Sequence, residues 1–302
     1  MYGCLPIFNN LRPHISLVCI AHPHTSLSLP AIESLSLDPI LFTQVPSLDT
    51  VLKKLTSFID TAPWSASSAE SKNEIKQMLT AAIVPYLKAR FTTPAAGGTT
   101  NGKAALPSAY PAMLKTWTEA TATLTSILPV ESLFPLVDMW RLAFLDPAVG
   151  TWSVANANSG QLDPITVLLS KATAALQNPK TSNPRNFILT VLRLLSNAFS
   201  IPPLARWSLA GSSRRNVTVL LVPTLLHEDA AVRTAAASLV FNMAAFLQKG
   251  RVERVRNRAG VSTDGEDEDW DVEMVSAVVE AIDREKGSEE VGEHLFGVNK
   301  YL

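Results

Sequence analysis

From about residue 46 to residue 285, apolar residues recur every three or four positions in one segment after another, and this pattern excludes most folds. The first such segment, 47–59, puts Leu48, Val51, Leu52, Leu55 and Ile59 on one helical face. Residues 71–91 follow with Ile75, Met78, Leu79, Ala82, Ile83, Tyr86 and Leu87, and with Pro85 as an expected kink. Segments 111–128, 131–145, 163–176, 183–199, 216–226, 229–247 and 270–285 continue the series. Between them, the Gly/Thr/Ala-rich stretch 92–107 reads as a flexible loop, and a polar link is expected over 155–160. Helices with mostly short connections, and no strand signal after the first twenty-odd residues, predict an all-α protein.

Two of these segments share a motif. Leu194-Leu195-Ser196-Asn197-Ala198-Phe199 and Leu239-Val240-Phe241-Asn242-Met243 place Asn197 and Asn242 45 residues apart. That spacing lies within the ~40–47-residue period of armadillo and HEAT units, which must stack to bury their apolar faces. The expected fold is therefore an all-α, armadillo/HEAT-like helical solenoid. A short N-terminal extension precedes it, irregular or with the single β-type run at 15–21 (ISLVCIA).

Charge and composition narrow the function. The 26 Lys and Arg nearly balance the 27 Asp and Glu, for a formal net charge of −1, which argues against bulk capture of nucleic acid or anionic membrane. No stretch reaches the ~18–20 uncharged apolar residues of a membrane span, and a soluble protein of the cytoplasm, the nucleus or both is expected. Cys4 and Cys19 cannot define a disulfide framework. Cys4, Cys19, His22 and His24 carry metal-capable atoms but lack the paired spacings of a structural zinc site. Neither a Gly-x-Ser-x-Gly elbow nor a phosphate-cradling Gly-x-x-x-x-Gly-Lys loop occurs. The expectation is a protein-binding module, not an enzyme, with no cofactor, metal or small-molecule substrate. The basic run 249–258 and the acidic run 264–271 read together as a charged mobile loop.

Three motifs carry a family resemblance over about 45–285. They are Leu133-Phe134-Pro135-Leu136-Val137-Asp138-Met139-Trp140-Arg141-Leu142, then 187–199 (FILTVLRLLSNAF) and 226–242 (LHEDAAVRTAAASLVFN). Together they resemble the PUL domain of the phospholipase-activating-protein family. The resemblance implies an armadillo-like solenoid over 37–302 whose groove binds the C-terminal tail of a hexameric AAA+ segregase of the valosin-containing-protein type, in ubiquitin-dependent turnover. Residues 22–30 and 39–43 are similar to a linker in larger fungal proteins that join a deSUMOylase-type peptidase and a thioredoxin-like domain to a PUL domain. On that reading, residues 1–36 are the end of a thioredoxin-like domain, and this chain is the targeting half of a peptidase; a purely structural scaffold is the other alternative. After Glu285 the family pattern has one more apolar helix with a groove arginine. Here the glycine-broken run 289–297 stands instead, with His294 near the arginine's place.

Four residues are candidates for peptide binding. Arg141 lies in the segment matching the family's groove wall and can pair bidentately with a carboxylate, or with Asp138 on its own helix. Asn197 and Asn242 can hold a peptide backbone through amide donor and acceptor, or be buried against a neighbouring helix end. Arg193, with Arg206, Arg214, Arg215 and Arg233, can line a basic groove or be solvated surface.

Overall fold

A computed structural model describes residues 36–65, 69–91, 110–177, 184–256 and 266–285. The strand expected at 15–21, the cysteines, His22, His24, the loop over 92–107 and the run 289–297 lie outside these residues. By internal contacts the chain divides at Ser36, and the unit 37–302 contains all the helices described below.

Capping side chains, those of Ser47, Asp146, Asp163 and Asp229, set four of the helix starts. Ser47 caps α1 (Leu48–Thr61), accepting from the Thr50 amide at 3.4 Å. Next, α2 (Ala69–Met78) runs through one π turn (Leu79–Ile83) into α3 (Val84–Phe91). The kink expected at Pro85 is taken up by this turn: Pro85 has no N–H to offer, and the Val84 amide bonds Leu79 O, five residues back. After α4 (Tyr110–Ile127) comes α5 (Phe134–Ala143).

Residues 155–160 are not a free-standing polar link. Most of them belong to a helix, α6 (Pro147–Asn158), which Asp146 caps and Pro147 opens. It was missed because its apolar residues fall on no single face. Gly150 marks why it is there: a Cβ at this position would lie 2.5 Å from Cδ1 of Ile201, so α6 packs backbone-close on the chain entering α9.

Asp163 starts α7 (Pro164–Gln177) by accepting from the Thr166 amide at 3.0 Å. Burial pushes the Asp163 carboxyl up, with the Thr166 contacts opposing that shift. Then come α8 (Arg185–Ala198), the short α9 (Pro202–Ser208) and α10 (Gly211–Leu225). Asp229 caps α11 (Ala230–Arg256) through the Val232 amide at 3.2 Å. Finally, α12 spans Glu266–Glu285. The basic run from Lys249 is thus helical as far as Arg256, and the acidic run is helical from Glu266, so neither is wholly loop.

The helices form two layers. One sets α1, α5, α8 and α11 side by side; the other sets α4, α7, α10 and α12 behind them. Units repeat as pairs, α7 with α8 and α10 with α11, as a helical solenoid requires. Helix α8 has neighbours in both layers, so Phe187 to Leu192 and Leu194 to Ala198 are buried in unbroken runs. In the first half of the stack, Trp117 of α4 lies on Trp140 of α5 at 3.6 Å between ring centres, and Trp140 Nε1 donates to Thr121 Oγ1 at 2.9 Å. Each fully buried Leu, Ile or Phe here contributes about 1.5–3 kcal/mol. Residues 230–253 of α11 are long and apolar enough to cross a membrane by composition, but 44% of that window is buried against its neighbours in the stack.

Candidate functional site: a polar ladder across three helices

Near their C-terminal ends, α5 and α8 carry Arg141 and Asn197, and α11 carries Asn242 near its middle; all three side chains are buried. Burying such groups costs free energy unless every donor and acceptor is met. Each asparagine side chain makes three hydrogen bonds, one of them to the neighbouring helix. Nδ2 of Asn197 donates to Arg141 O at 3.0 Å, and Nδ2 of Asn242 donates to Ser196 O at 3.2 Å. The Arg141 carbonyl stands in the last turn of α5, where helical partners run out, while the Ser196 carbonyl in the last turn of α8 also accepts from the Phe199 amide at 3.2 Å.

The other two go to an extended piece of the same chain, residues 38–46, just before α1. The Ile40 amide donates to Asn242 Oδ1 at 2.7 Å, and Asn242 Nδ2 donates to Ile40 O at 2.9 Å. Two residues on, the Phe42 amide donates to Asn197 Oδ1 at 2.7 Å, and Asn197 Nδ2 donates to Phe42 O at 3.1 Å. Arg141 continues the register: Nη1 donates to Phe42 O, Nη2 to Gln44 O at 2.9 Å, and Nε to Asp138 Oδ1 at 2.6 Å. Residues 40, 42 and 44 are therefore held at two-residue intervals by three neighbouring helices, and the hydrogen bonds to them all go to backbone groups.

Arg141 thus makes the local Asp138 pair and contacts an extended chain at once; these are not alternatives. The same holds for the two asparagines, which bond both a neighbouring helix end and an extended backbone. In this structure, that extended chain is the protein's own.

Arg193 stands one helical turn before Asn197 on α8. Its guanidinium lies over the Phe42 ring at 5.3 Å, and its Nε finds no hydrogen-bond partner among the described residues. Burial, then the nearby Arg141 charge, lower its pKa; Asp138 opposes and Arg185 adds to the effect. The result is a cation close to two others, a place where an added carboxylate is favoured.

The remaining arginines of the candidate groove do not converge with it. Arg233 pairs with Glu285 and donates to the carbonyls of His227 and Glu228, both at 2.8 Å. Arg214 lies over the Trp270 ring at 5.4 Å, tying α10 to α12. Arg206 and Arg215 are exposed.

Sequence reasoning missed the strand itself. Its signal was present: a non-helical apolar run, 40–45, bounded by Pro39 and Pro46, which both favour extended backbone before them. A second polar cluster was also missed. Tyr86 Oη donates to Asp146 Oδ2 at 3.0 Å and lies 2.7 Å from Tyr110 Oη, while Arg90 Nε is 3.1 Å from Asp146 Oδ2. Burial raises both tyrosine pKa values, so this cluster holds α3, α4 and α6 together as neutral phenols around one carboxylate.

No curated protein and no solved structure matches the chain significantly. The PUL domain family does match, over residues 36–297. That interval begins just before the extended strand and takes in all twelve helices described, so the ladder and the strand it holds lie inside one family domain. The chain belongs to the PUL domain family.

Proposed function

We propose that this protein is an adaptor that docks on the C-terminal tail of a hexameric AAA+ segregase of the valosin-containing-protein type, acting in ubiquitin-dependent protein turnover in the cytoplasm, the nucleus or both. The coarser statement follows from the family: PUL is a protein-interaction domain rather than a catalytic one. One observation carries the finer reading. The face made by α5, α8 and α11 holds an extended backbone through Asn197, Asn242 and Arg141, with the unbonded Nε of Arg193 alongside. A face of that kind suits an extended peptide with a carboxylate to set against Arg193.

Calorimetry of the full chain with a synthetic acidic tail peptide of such a segregase tests it. Saturable binding is expected, weakened about tenfold or more by Arg193→Ala, which amounts to loss of one charge-assisted contact. Binding equal in Arg193→Ala removes that residue from the site. No binding to any arrangement of the tail, free or hexameric, sinks the proposal.

A further inference from the structure

Segment 38–46 is held differently from anything else in the stack. Residues 36–47 form no regular element, and Ile40, at the centre of the ladder, is 44% exposed. The ion pair at its start, Asp38 with Lys249 at 3.4 Å, joins side chains that are 86% and 47% exposed and contributes little. What fastens it is hydrogen bonding to the peptide groups of residues 40, 42 and 44, together with the half-buried side chains of Phe42, tucked under Arg193, and Val45, which pack against the core. Peptide groups are common to every chain. A site that reads them accepts any extended segment able to present the same N–H and C=O groups at a two-residue step.

We infer that residues 38–44 are a resident, exchangeable strand: they occupy in cis the site on which an extended partner segment docks, and docking in trans requires their release. This rests on the peptide-binding reading above and adds how the site is controlled. It also defines the incoming strand. Counted from the residue that takes the place of Ile40, its first and third residues must have free N–H groups, for Asn242 and Asn197, so neither is proline. The third carries an aromatic or flat apolar side chain to lie beneath Arg193. The fifth offers its carbonyl to Arg141.

The resident strand is tethered directly to α1, so it competes at an effective concentration in the ~mM range. A free peptide therefore sees its intrinsic affinity divided by the small fraction of molecules with the strand released. Anything that draws residues 36–46 away, by binding them or the chain before them, exposes the ladder.

Two measurements on the full chain test this. In the first, Ile40→Pro with Phe42→Pro removes both amides donated to the asparagines, and the probe is a fluorescent synthetic copy of residues 37–46. The variant is expected to bind it at least ~tenfold more tightly than the unaltered protein does. Adding Asn242→Ala should abolish the gain. In the second, amide exchange on the unaltered protein is expected to show the Ile40 and Phe42 amides opening well before those of Leu192 and Leu195 in α8, and opening further when an acidic tail peptide is added. Amides at 40 and 42 that exchange only with global unfolding overturn the inference, whether or not the proline variant folds. So does a tail peptide that binds without deprotecting them, and in that case the adaptor reading survives. If the 37–46 copy enters the opened variant and the tail peptide does not, the strand is exchangeable and the segregase reading falls.

Discussion

Helices α5, α8 and α11 bury an arginine and two asparagines, whereas α12, at the end of the same stack, leaves three valines in water. Arg141, Asn197 and Asn242 are at most 5% exposed; Val272, Val275 and Val279 are 59–66% exposed. By composition alone the assignment runs the wrong way. The difference is one of neighbours. A helix inside the stack has a neighbour on each side, and the last turns of those neighbours offer carbonyls that a buried amide can satisfy. In contrast, α12 packs on α10 through Trp270, Met274 and Ala277, while the described residues place nothing on its other side. Burial in a solenoid thus follows a residue's position in the stack as much as its chemistry.

The largest effect should come from the centre. Asn197→Ala leaves the Phe42 amide and the Arg141 carbonyl without their partner in a buried place, at a cost of about 3 kcal/mol. The melting temperature should fall by roughly 5 °C for a chain of this size. A loss below ~1 kcal/mol would mean that water replaces the amide, and that the ladder's interior is wet.

A smaller effect is expected at the ladder's flank, where Arg185 at the start of α8 pairs with Asp229 at the cap of α11. The hydrogen bond from Arg185 is the main reason the Asp229 carboxyl lies below its ordinary value of 3.8. Both side chains are partly exposed, so Arg185→Ala should cost under ~1 kcal/mol. Because the folded-state pKa is depressed, the pair's contribution is complete above the unfolded value and is lost as pH falls through the folded one. The difference in melting temperature between variant and parent should accordingly be constant at neutral pH and shrink below about pH 4. A difference that persists at lower pH would assign it to packing of the arginine stem instead.

The smallest effect belongs to the end helix. Val272→Ser, Val275→Ser and Val279→Ser should each change stability by no more than about 0.5 kcal/mol in urea titrations. A loss near 2 kcal/mol for any one would show that this face is covered, and the contrast between centre and end would fail.

Much of the fold was legible because it rests on short-range pattern. Leu48, Leu55 and Ile59, or Phe187, Val191 and Leu194, recur at the helical period and are buried where that period puts them. The solenoid was legible because Asn197 and Asn242 repeat at the spacing of one unit. Helices α6 and α9 were missed for the complementary reason. The first has apolar residues all round, and the second is only seven residues long, too short to show a period, and starts after Ile201, which packs close on Gly150. Of the ladder, Arg141, Asn197, Asn242 and Arg193 were singled out from the sequence as candidates for peptide binding, since an amide or guanidinium inside an apolar helix stands out. What they hold was not.

The sequence by itself determined that this chain is a stack of helices with polar residues set at repeating places in its buried faces, because periodicity and local capping are written in neighbouring residues. Only the tertiary structure decided that the ladder closes on Ile40, Phe42 and Gln44, which precede Asn197 and Asn242 by 155 and 202 residues for the hydrogen-bonded pairs. The physical reason is that the ladder bonds to peptide groups. These are the same in every residue, so no side-chain pattern marks in advance which stretch of chain will lie there.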